Sequence, residues 1–482
     1  MLDLRPVGYV VGLLVAMLGA AMVLPMLVDL VEGIGHWQVF AECALITTLT
    51  GGVMALSCSN GVRRGLTIQQ TFLLTTGVWL ALPLFGALPF YFGATEARYV
   101  DAFFEAMSGL TTTGSTVFSG LDTLPKGLLL WRGILQWLGG IGIIVVAMVF
   151  LPELRVGGMQ IFRTESFDTF GKILPRATEI ATRISVIYVA LTLICALCYL
   201  GAGMGAFDAI VHAMTTIATG GFANYDASFA AFDPAVSYVA TLFMLLAALP
   251  FVRFVQLSAG TARPMLRDTQ IHAFLATALV IVFLIAGWNL WQQKTIDEGA
   301  VRAAAFNAVS LMTGTGYANA DYMQWGSFAI AVLFFTGLIG GCAGSTACSI
   351  KIFRYQLLFA SIRSQLQKTR SPHGIFTPRY AGRPVGEDVL NSVMSFFVFF
   401  TVTLGLLSVA LAMTGLDFTT SVSGAATALA NVGPGFGDHI GPSGNFAGLN
   451  DTAKWLLAAA MLIGRLELMA VYVMFTVQFW RA

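Results

Sequence analysis

Charge is what this chain has least of: Asp, Glu, Lys and Arg make up 11% of its 482 residues, where soluble globular proteins carry about a quarter. Apolar residues take their place, at 57% of the chain and a mean hydropathy of +0.79. A soluble domain is thereby excluded and a membrane protein expected. The net charge is +1 with no basic tail, which removes nucleic acid as a partner. HExxH and GxxxxGKS/T patterns are missing, so the chain shows no sign of holding zinc or hydrolysing ATP. Cysteine is sparse as well. The six residues Cys43, Cys58, Cys195, Cys198, Cys342 and Cys348 lie in or beside apolar runs and form no secreted disulfide framework. Cys195 and Cys198 have CxxC spacing inside Val186–Leu200. A buried structural pair is expected there, because reactive thiols need electropositive, partly exposed surroundings.

What is present is a series of apolar runs of spanning length, at about 6–28, 37–57, 67–92, 127–151, 183–203, 235–257, 271–291, 326–350, 391–413 and 454–478. The first follows Arg5 and exceeds a signal-peptide core, so a retained helix is expected. Four shorter segments, about 101–114, 206–220, 302–316 and 418–433, end in glycine and threonine. At roughly a dozen residues each they are too short to span, and they read as re-entrant half-helices.

Alternating ten spans from a cytoplasmic N-terminus puts nineteen of the 26 Lys and Arg on the inside face. They are Arg5, Arg63, Arg64, Arg155, Arg163, Lys172, Arg176, Arg183, Arg253, Arg263, Arg267, Lys351, Arg354, Arg363, Lys368, Arg370, Arg379, Arg383 and Arg481. Both termini are then cytoplasmic, and all four short segments enter from outside.

The chain repeats itself. After two N-terminal helices, the order helix, short segment, helix occurs four times, which is the mark of an internal repeat. The divisions fall at 1–60 for the N-terminal pair, then 61–176, 177–263, 264–372 and 373–482 for the repeats. Aligned on one glycine, the short segments read FEAMSGLTTTGSTV, IVHAMTTIATGGFA, FNAVSLMTGTGYAN and SGAATALANVGPGF. The aligned glycines are Gly114, Gly220, Gly316 and Gly433, preceded by Thr113, Thr219, Thr315 and Val432, and before those by Thr112, Ala218, Gly314 and Asn431. The expected architecture is all-α and polytopic, with four helix–pore loop–helix repeats around a pseudo-four-fold axis.

Four half-helix C-termini at the membrane midplane point the negative ends of their dipoles at a central cavity, which favours a cation. Extended Thr-Gly backbone can present carbonyls in place of a water shell. The twelve residues just named are accordingly the expected K+ filter. An Asp follows each filter segment, at Asp122, Asp226, Asp321 and Asp438. These either concentrate cations outside or are ordinary loop polarity.

The fourfold pattern, the TTTG, ATGG, TGTG and NVGPG loops and the two extra N-terminal helices resemble the TrkH family, within the TrkH/KtrB/HKT superfamily of potassium transporters. The resemblance covers essentially the whole chain. It implies K+ conduction and to a lesser degree Na+, a homodimer with one pore per subunit, and a cytosolic TrkA-type nucleotide-binding partner. No organic cofactor and no enzymatic activity are implied.

Two further stretches match the family. In FTGLIGGCAGSTACSIKIFR, Gly337, Gly340, Gly341 and Gly344, with Ala343, Ser345 and Thr346, make a weak helix at mid-membrane. The resemblance implies a loop that occludes the pore beneath the filter. The residues themselves also fit GxxxG helix packing, at Gly337–Gly341 and Gly340–Gly344. Ala347, Cys348 and Ser349 stand where the family more often has glycine. The second stretch holds Arg465, in MLIGRLELMAVYVMF. A charge at that depth faces the pore or a carboxylate on another helix; the resemblance implies a barrier to permeation. Glu467, two residues on, points away from it if the helix is continuous. Apart from this pair, no constellation of ionisable residues inside the spans suggests an enzyme. His212, on the second short segment, is expected to pack or hydrogen-bond. A secondary transporter coupling Na+ or H+ to a solute is the rival reading, since it too uses broken midplane helices. It predicts inverted repeats, and the four here share one orientation.

Overall fold

Proline, glycine and buried polar groups decide where the apolar runs of this chain stay helical. A computed structural model describes residues 3–61, 66–149, 177–293 and 297–481. Arg63, Arg64, Arg155, Arg163, Lys172 and Arg176 of the charge-based topology lie outside these residues. Among the described residues, seven helices are long and apolar enough to cross a membrane: Arg5–Val31, Trp37–Gly61, Ile68–Phe92, Lys126–Val146, Ala181–Gly201, Thr269–Gln292 and Glu387–Met413.

The other three expected spans are broken. Residues 235–257 form Pro234–Ala247 and Phe251–Ser258, bent by 91°, because Pro250 has no N–H to continue the ladder. Residues 326–350 are helical only over Gly326–Gly337. The glycine-rich stretch that follows is irregular up to the helix Ile352–Arg370. The last run divides into Asp451–Arg465 and Met469–Phe475, bent by 104°, with Glu467 and Leu468 at positive φ.

Irregular backbone at membrane depth must have its polar groups satisfied internally, and two of these breaks satisfy each other. The Ala248 carbonyl, freed at the Pro250 break, accepts from Cys342 N at 3.0 Å, and Phe251 N donates to Gly344 O at 3.0 Å. Thr346 Oγ1 donates to Ala247 O at 3.0 Å. A GxxxG packing stripe needs a continuous helix, so that reading of Gly337–Gly344 fails.

The four short segments are the helices Tyr99–Leu110, Ala206–Ile217, Glu298–Thr313 and Phe418–Ala430. Each packs between the two helices of its own repeat and also touches the second helix of the preceding one. Lys126–Val149 meets Ala206–Ile217, Pro234–Ala247 meets Glu298–Thr313, Gly326–Gly337 meets Phe418–Ala430, and Asp451–Arg465 returns to Tyr99–Leu110. The repeats therefore close into a ring, with the short helices innermost and buried. The N-terminal helices Arg5–Ala21 and Trp37–Cys58 pack on each other and, through the first, on Ile68–Gly86 at the outside of repeat 1.

The Gly139–Gly140 pair is a packing device. A Cβ on Gly139 would strike the Leu110 carbonyl, and one on Gly140 would lie 2.9 Å from Ala218 Cα. Bare backbone lets that helix approach the ends of two short helices. Cys195 is buried but Cys198 is exposed, and both thiols are free, so the expected buried pair is corrected. Three residues along a helix, the second thiol faces away from the core that holds the first.

A ring of backbone carbonyls above a buried arginine

Each short helix ends in a tight turn, and the turns fix the register of the four loops. Thr112 N bonds Gly109 O and Thr113 N bonds Ser108 O; the same pair of bonds recurs at Thr219 and Gly220, at Gly314 and Thr315, and at Asn431 and Val432. The left-handed residues agree. Thr112, Thr219, Gly314 and Asn431 have φ of 51°, 49°, 74° and 51°, and Gly114, Gly221, Gly316 and Gly433 have φ of 87°, 78°, 82° and 102°.

Equivalent triplets are thus Thr112–Gly114, Thr219–Gly221, Gly314–Gly316 and Asn431–Gly433. The sequence alignment is one residue early in repeat 2, where it set Ala218, Thr219 and Gly220 against the others. Ala218 is the C-cap of its helix and corresponds to Thr111. The error arose from two adjacent glycines, of which only the second occupies the left-handed position that glycine tolerates without strain.

These glycines lie against the next repeat's backbone. A Cβ on Gly114 would run into the carbonyl of Gly220, on Gly221 into that of Thr315, on Gly316 into that of Val432, and on Gly433 into that of Thr113. The order is cyclic and closes. One outer cavity of about 320 Å³ is lined by all four glycines, Gly114, Gly221, Gly316 and Gly433.

Side chains behind the loops hold this backbone in place. Thr113 and Thr315 hydroxyls bond those of Thr111 and Thr313, each at 2.7 Å. Asn431 Nδ2 donates to Thr113 Oγ1 and to Met461 O, both at 2.9 Å. Gln136 donates to Gly220 O at 2.5 Å and accepts from Phe222 N at 3.0 Å. Arg132, buried, donates from Nε to Glu105 at 2.9 Å and from Nη1 to Ala223 O at 2.7 Å, while Glu105 also accepts from Val117 N at 2.9 Å. The pair ties the loop of repeat 1 to that of repeat 2. Sequence reasoning missed Glu105, Arg132 and Gln136, a second buried group of charged and polar residues beside Arg465 and Glu467. The available signal was two polar residues four apart, Arg132 and Gln136, on one face of an apolar helix.

Of the four aspartates, Asp226 accepts from Gly120 N at 2.7 Å and lines the outer cavity. Asp321 caps a short turn through Met323 N at 3.1 Å. Asp122 and Asp438 are exposed. His212 hydrogen-bonds Asp208 O at 2.9 Å and packs against Phe229, Phe232 and Tyr317, as expected of it.

On the opposite side of the loops from the cavity lies the irregular stretch after Gly337. It is pinned by Gly340 N to Ile350 O at 2.8 Å and Ser349 N to Ala430 O at 2.9 Å, and by Ser345 Oγ to Cys342 O at 2.7 Å. Gly341 packs against the Ala248 carbonyl. Cys348 Sγ sits 3.6 Å from Thr112 Oγ1. Arg465, 4% exposed, donates from Nη1 to Cys348 Sγ at 2.5 Å and Thr346 O at 3.4 Å. It has no carboxylate partner among the described residues. Glu467 turns away because the helix ends at Arg465, and it pairs with Arg354 of the helix Ile352–Arg370. Among the described residues, the alternative of a carboxylate-paired Arg465 thus finds no partner, and Glu467 in particular is excluded.

Closed repeats, buried short helices and a ring of loop backbone define a polytopic membrane protein of the four-repeat pore-loop class. A family model described as a cation transport protein, TrkH, matches residues 36–481, and the chain belongs to that family. It is 42% identical over 478 residues to the Trk system potassium uptake protein TrkI of Halomonas elongata, covering 99% of this chain and 97% of that one. It is 36% identical over 485 residues to the potassium uptake protein TrkH of Escherichia coli, covering 99% of each. The crystal structure of the potassium transporter TrkH from Vibrio parahaemolyticus superposes with a TM-score of 0.91 at 33% identity, over 99% of this chain and 100% of that one.

Proposed function

We propose that this protein takes up potassium ions across the bacterial inner membrane, with both termini cytoplasmic. The observation that carries the reading is the cyclic contact of four glycines with the next repeat's carbonyls. The filter comprises Thr112, Thr113 and Gly114; Thr219, Gly220 and Gly221; Gly314, Thr315 and Gly316; and Asn431, Val432 and Gly433. Backbone oxygens replace the hydration shell of the ion, and the C-terminal ends of the four short helices add negative potential. A membrane potential of 100 mV, negative inside, adds about 2.3 kcal/mol of inward drive per ion.

Gly337, Gly340, Gly341, Gly344 and Ser345 belong to a gating loop beneath the filter, and Arg465 raises the barrier in its closed state. The Ala218 backbone ends a pore helix. The active form is a homodimer with one pore per subunit, joined to a cytosolic TrkA-type nucleotide-binding ring, and lipid surrounds it. The relatives' names as potassium uptake proteins support the choice of ion. The test is K+ or Rb+ flux into liposomes holding the purified protein under an imposed potential. Absence of flux would sink the reading. Flux that follows a Na+ or H+ gradient at fixed potential would move it to a secondary transporter.

A further inference from the structure

Cys348 occupies a position where the family resemblance leads one to expect glycine, and its surroundings are chemically distinctive. The thiol is buried at the inner face of the filter loops, between Thr112 Oγ1 at 3.6 Å and Arg465 Nη1 at 2.5 Å. It lines a cavity of about 30 Å³ together with Ser345, Lys351, Asn431 and Arg465. That space suffices for one water-sized group. Arg465 is buried there with Nε and Nη2 lacking hydrogen-bond partners. Unmet donors on a buried cation are costly, and an anionic oxygen placed beside them would form charge-assisted hydrogen bonds.

We propose that Cys348 is an oxidation site for small hydroperoxides, and that its sulfenic product, held by Arg465, locks the gating loop shut. The proposal rests on the uptake reading for its effect on flux, though not for its chemistry. The sulfur attacks the terminal peroxide oxygen; an S–O bond forms, the O–O bond breaks, and the leaving hydroxide or alkoxide takes the thiol proton and departs as water or alcohol. Sulfur is oxidised by two electrons and the peroxide is reduced. The guanidinium beside Sγ stabilises the charge that develops during attack; reactive thiols need electropositive surroundings and access, and here access is through the small cavity that Cys348 lines. The added oxygen then enters the small cavity and accepts from the unmet N–H groups. Loop and final helix become joined by a stronger contact than a thiol can make.

The experiment uses the full chain in liposomes, with Cys198→Ser as background because Cys198 is the exposed thiol. Hydrogen peroxide is added, sulfenic acid is trapped with dimedone and located by peptide mass spectrometry, and Rb+ flux is read before and after dithiothreitol. The expected result is dimedone at Cys348 with flux about tenfold lower, restored by dithiothreitol. Tenfold corresponds to about 1.4 kcal/mol of added stability for the closed loop. Cys348→Ser, or Cys348→Ala should the serine variant fold poorly, loses both the label and the peroxide response. Peroxide-treated protein without label at Cys348 overturns the proposal. So does label with unchanged flux, or an equal fall in flux in the Cys348 variants. Reduced protein that carries no flux at all overturns the uptake reading and the lock with it, while the label still reports whether Cys348 oxidises.

Discussion

Single residues carry the sharpest tests. Gly221→Ala sets a Cβ against the Thr315 carbonyl at a φ of 78°. The left-handed conformation alone costs about 1–2 kcal/mol for a residue with a Cβ. Gly220 has no positive φ, and a Cβ there would meet side-chain rather than backbone atoms, the Gln136 amide, at the cost of its hydrogen bonds to Gly220 O and Phe222 N. We expect Gly221→Ala to abolish Rb+ uptake and Gly220→Ala to reduce it by less than about tenfold; equal effects would restore the register read from the sequence. At Gly316, Ser adds a side chain against the Val432 carbonyl and should lower K+ preference over Na+. Reversal potentials in mixed salts check this, and an unchanged ratio with intact flux removes Gly316 from the filter. Arg465→Ala should raise flux. A cation passing 5 Å from the guanidinium at an effective dielectric of 20 meets a repulsion of about 3 kcal/mol, and partial solvation brings the gain nearer tenfold than a hundredfold. Because no described carboxylate is left unpaired by this change, the thermal midpoint should not fall. A fall without gain in flux would reject the barrier.

At the scale of elements, the broken helices matter most. The loop after Gly337 is held by hydrogen bonds to Ala248, Phe251 and Ala430, which belong to repeats 2 and 4. It reaches across the ring because it is long enough to do so. Removing residues from the stretch Gly340–Thr346 should therefore raise basal flux in the absence of any cytosolic partner, since ordering of such a segment is a usual gating device. Deleted protein that folds and conducts no better than the parent would reduce the segment to a structural break. The glycine composition made this stretch visible in the sequence. The hydrogen bonds that hold it were not, because their partners lie about 80 to 100 residues away.

For the whole molecule, the question is what keeps four repeats in a ring. Contacts between neighbouring repeats close it, and the buried Arg132–Glu105 pair secures the join between repeats 1 and 2. Removing one partner of a buried pair typically costs about 3–5 kcal/mol, because the other charge is left uncompensated. Glu105→Ala should lower the thermal midpoint in detergent accordingly and weaken uptake through the displaced Ala223 carbonyl. A variant as stable as the parent would show that the pair has no part in holding the ring.

The sequence by itself determined the class, the repeat number and the register of three of the four loops that follow the short helices, since each rests on local composition or on a period along the chain. Hydropathy marks a span regardless of what it packs against, and Gly114, Gly316 and Gly433 have no glycine directly beside them. Tertiary structure decided the rest. It chose Gly221 over Gly220, because only backbone dihedrals distinguish two adjacent glycines. It broke three of the ten expected spans, because the carbonyls freed at such breaks are tolerable only where a distant loop supplies donors. And it gave Arg465 a sulfur and, among the described residues, no carboxylate, by ending the helix there and sending Glu467 to Arg354. Periodicity assumes an unbroken helix, so it could not have placed those two charges apart for the right reason.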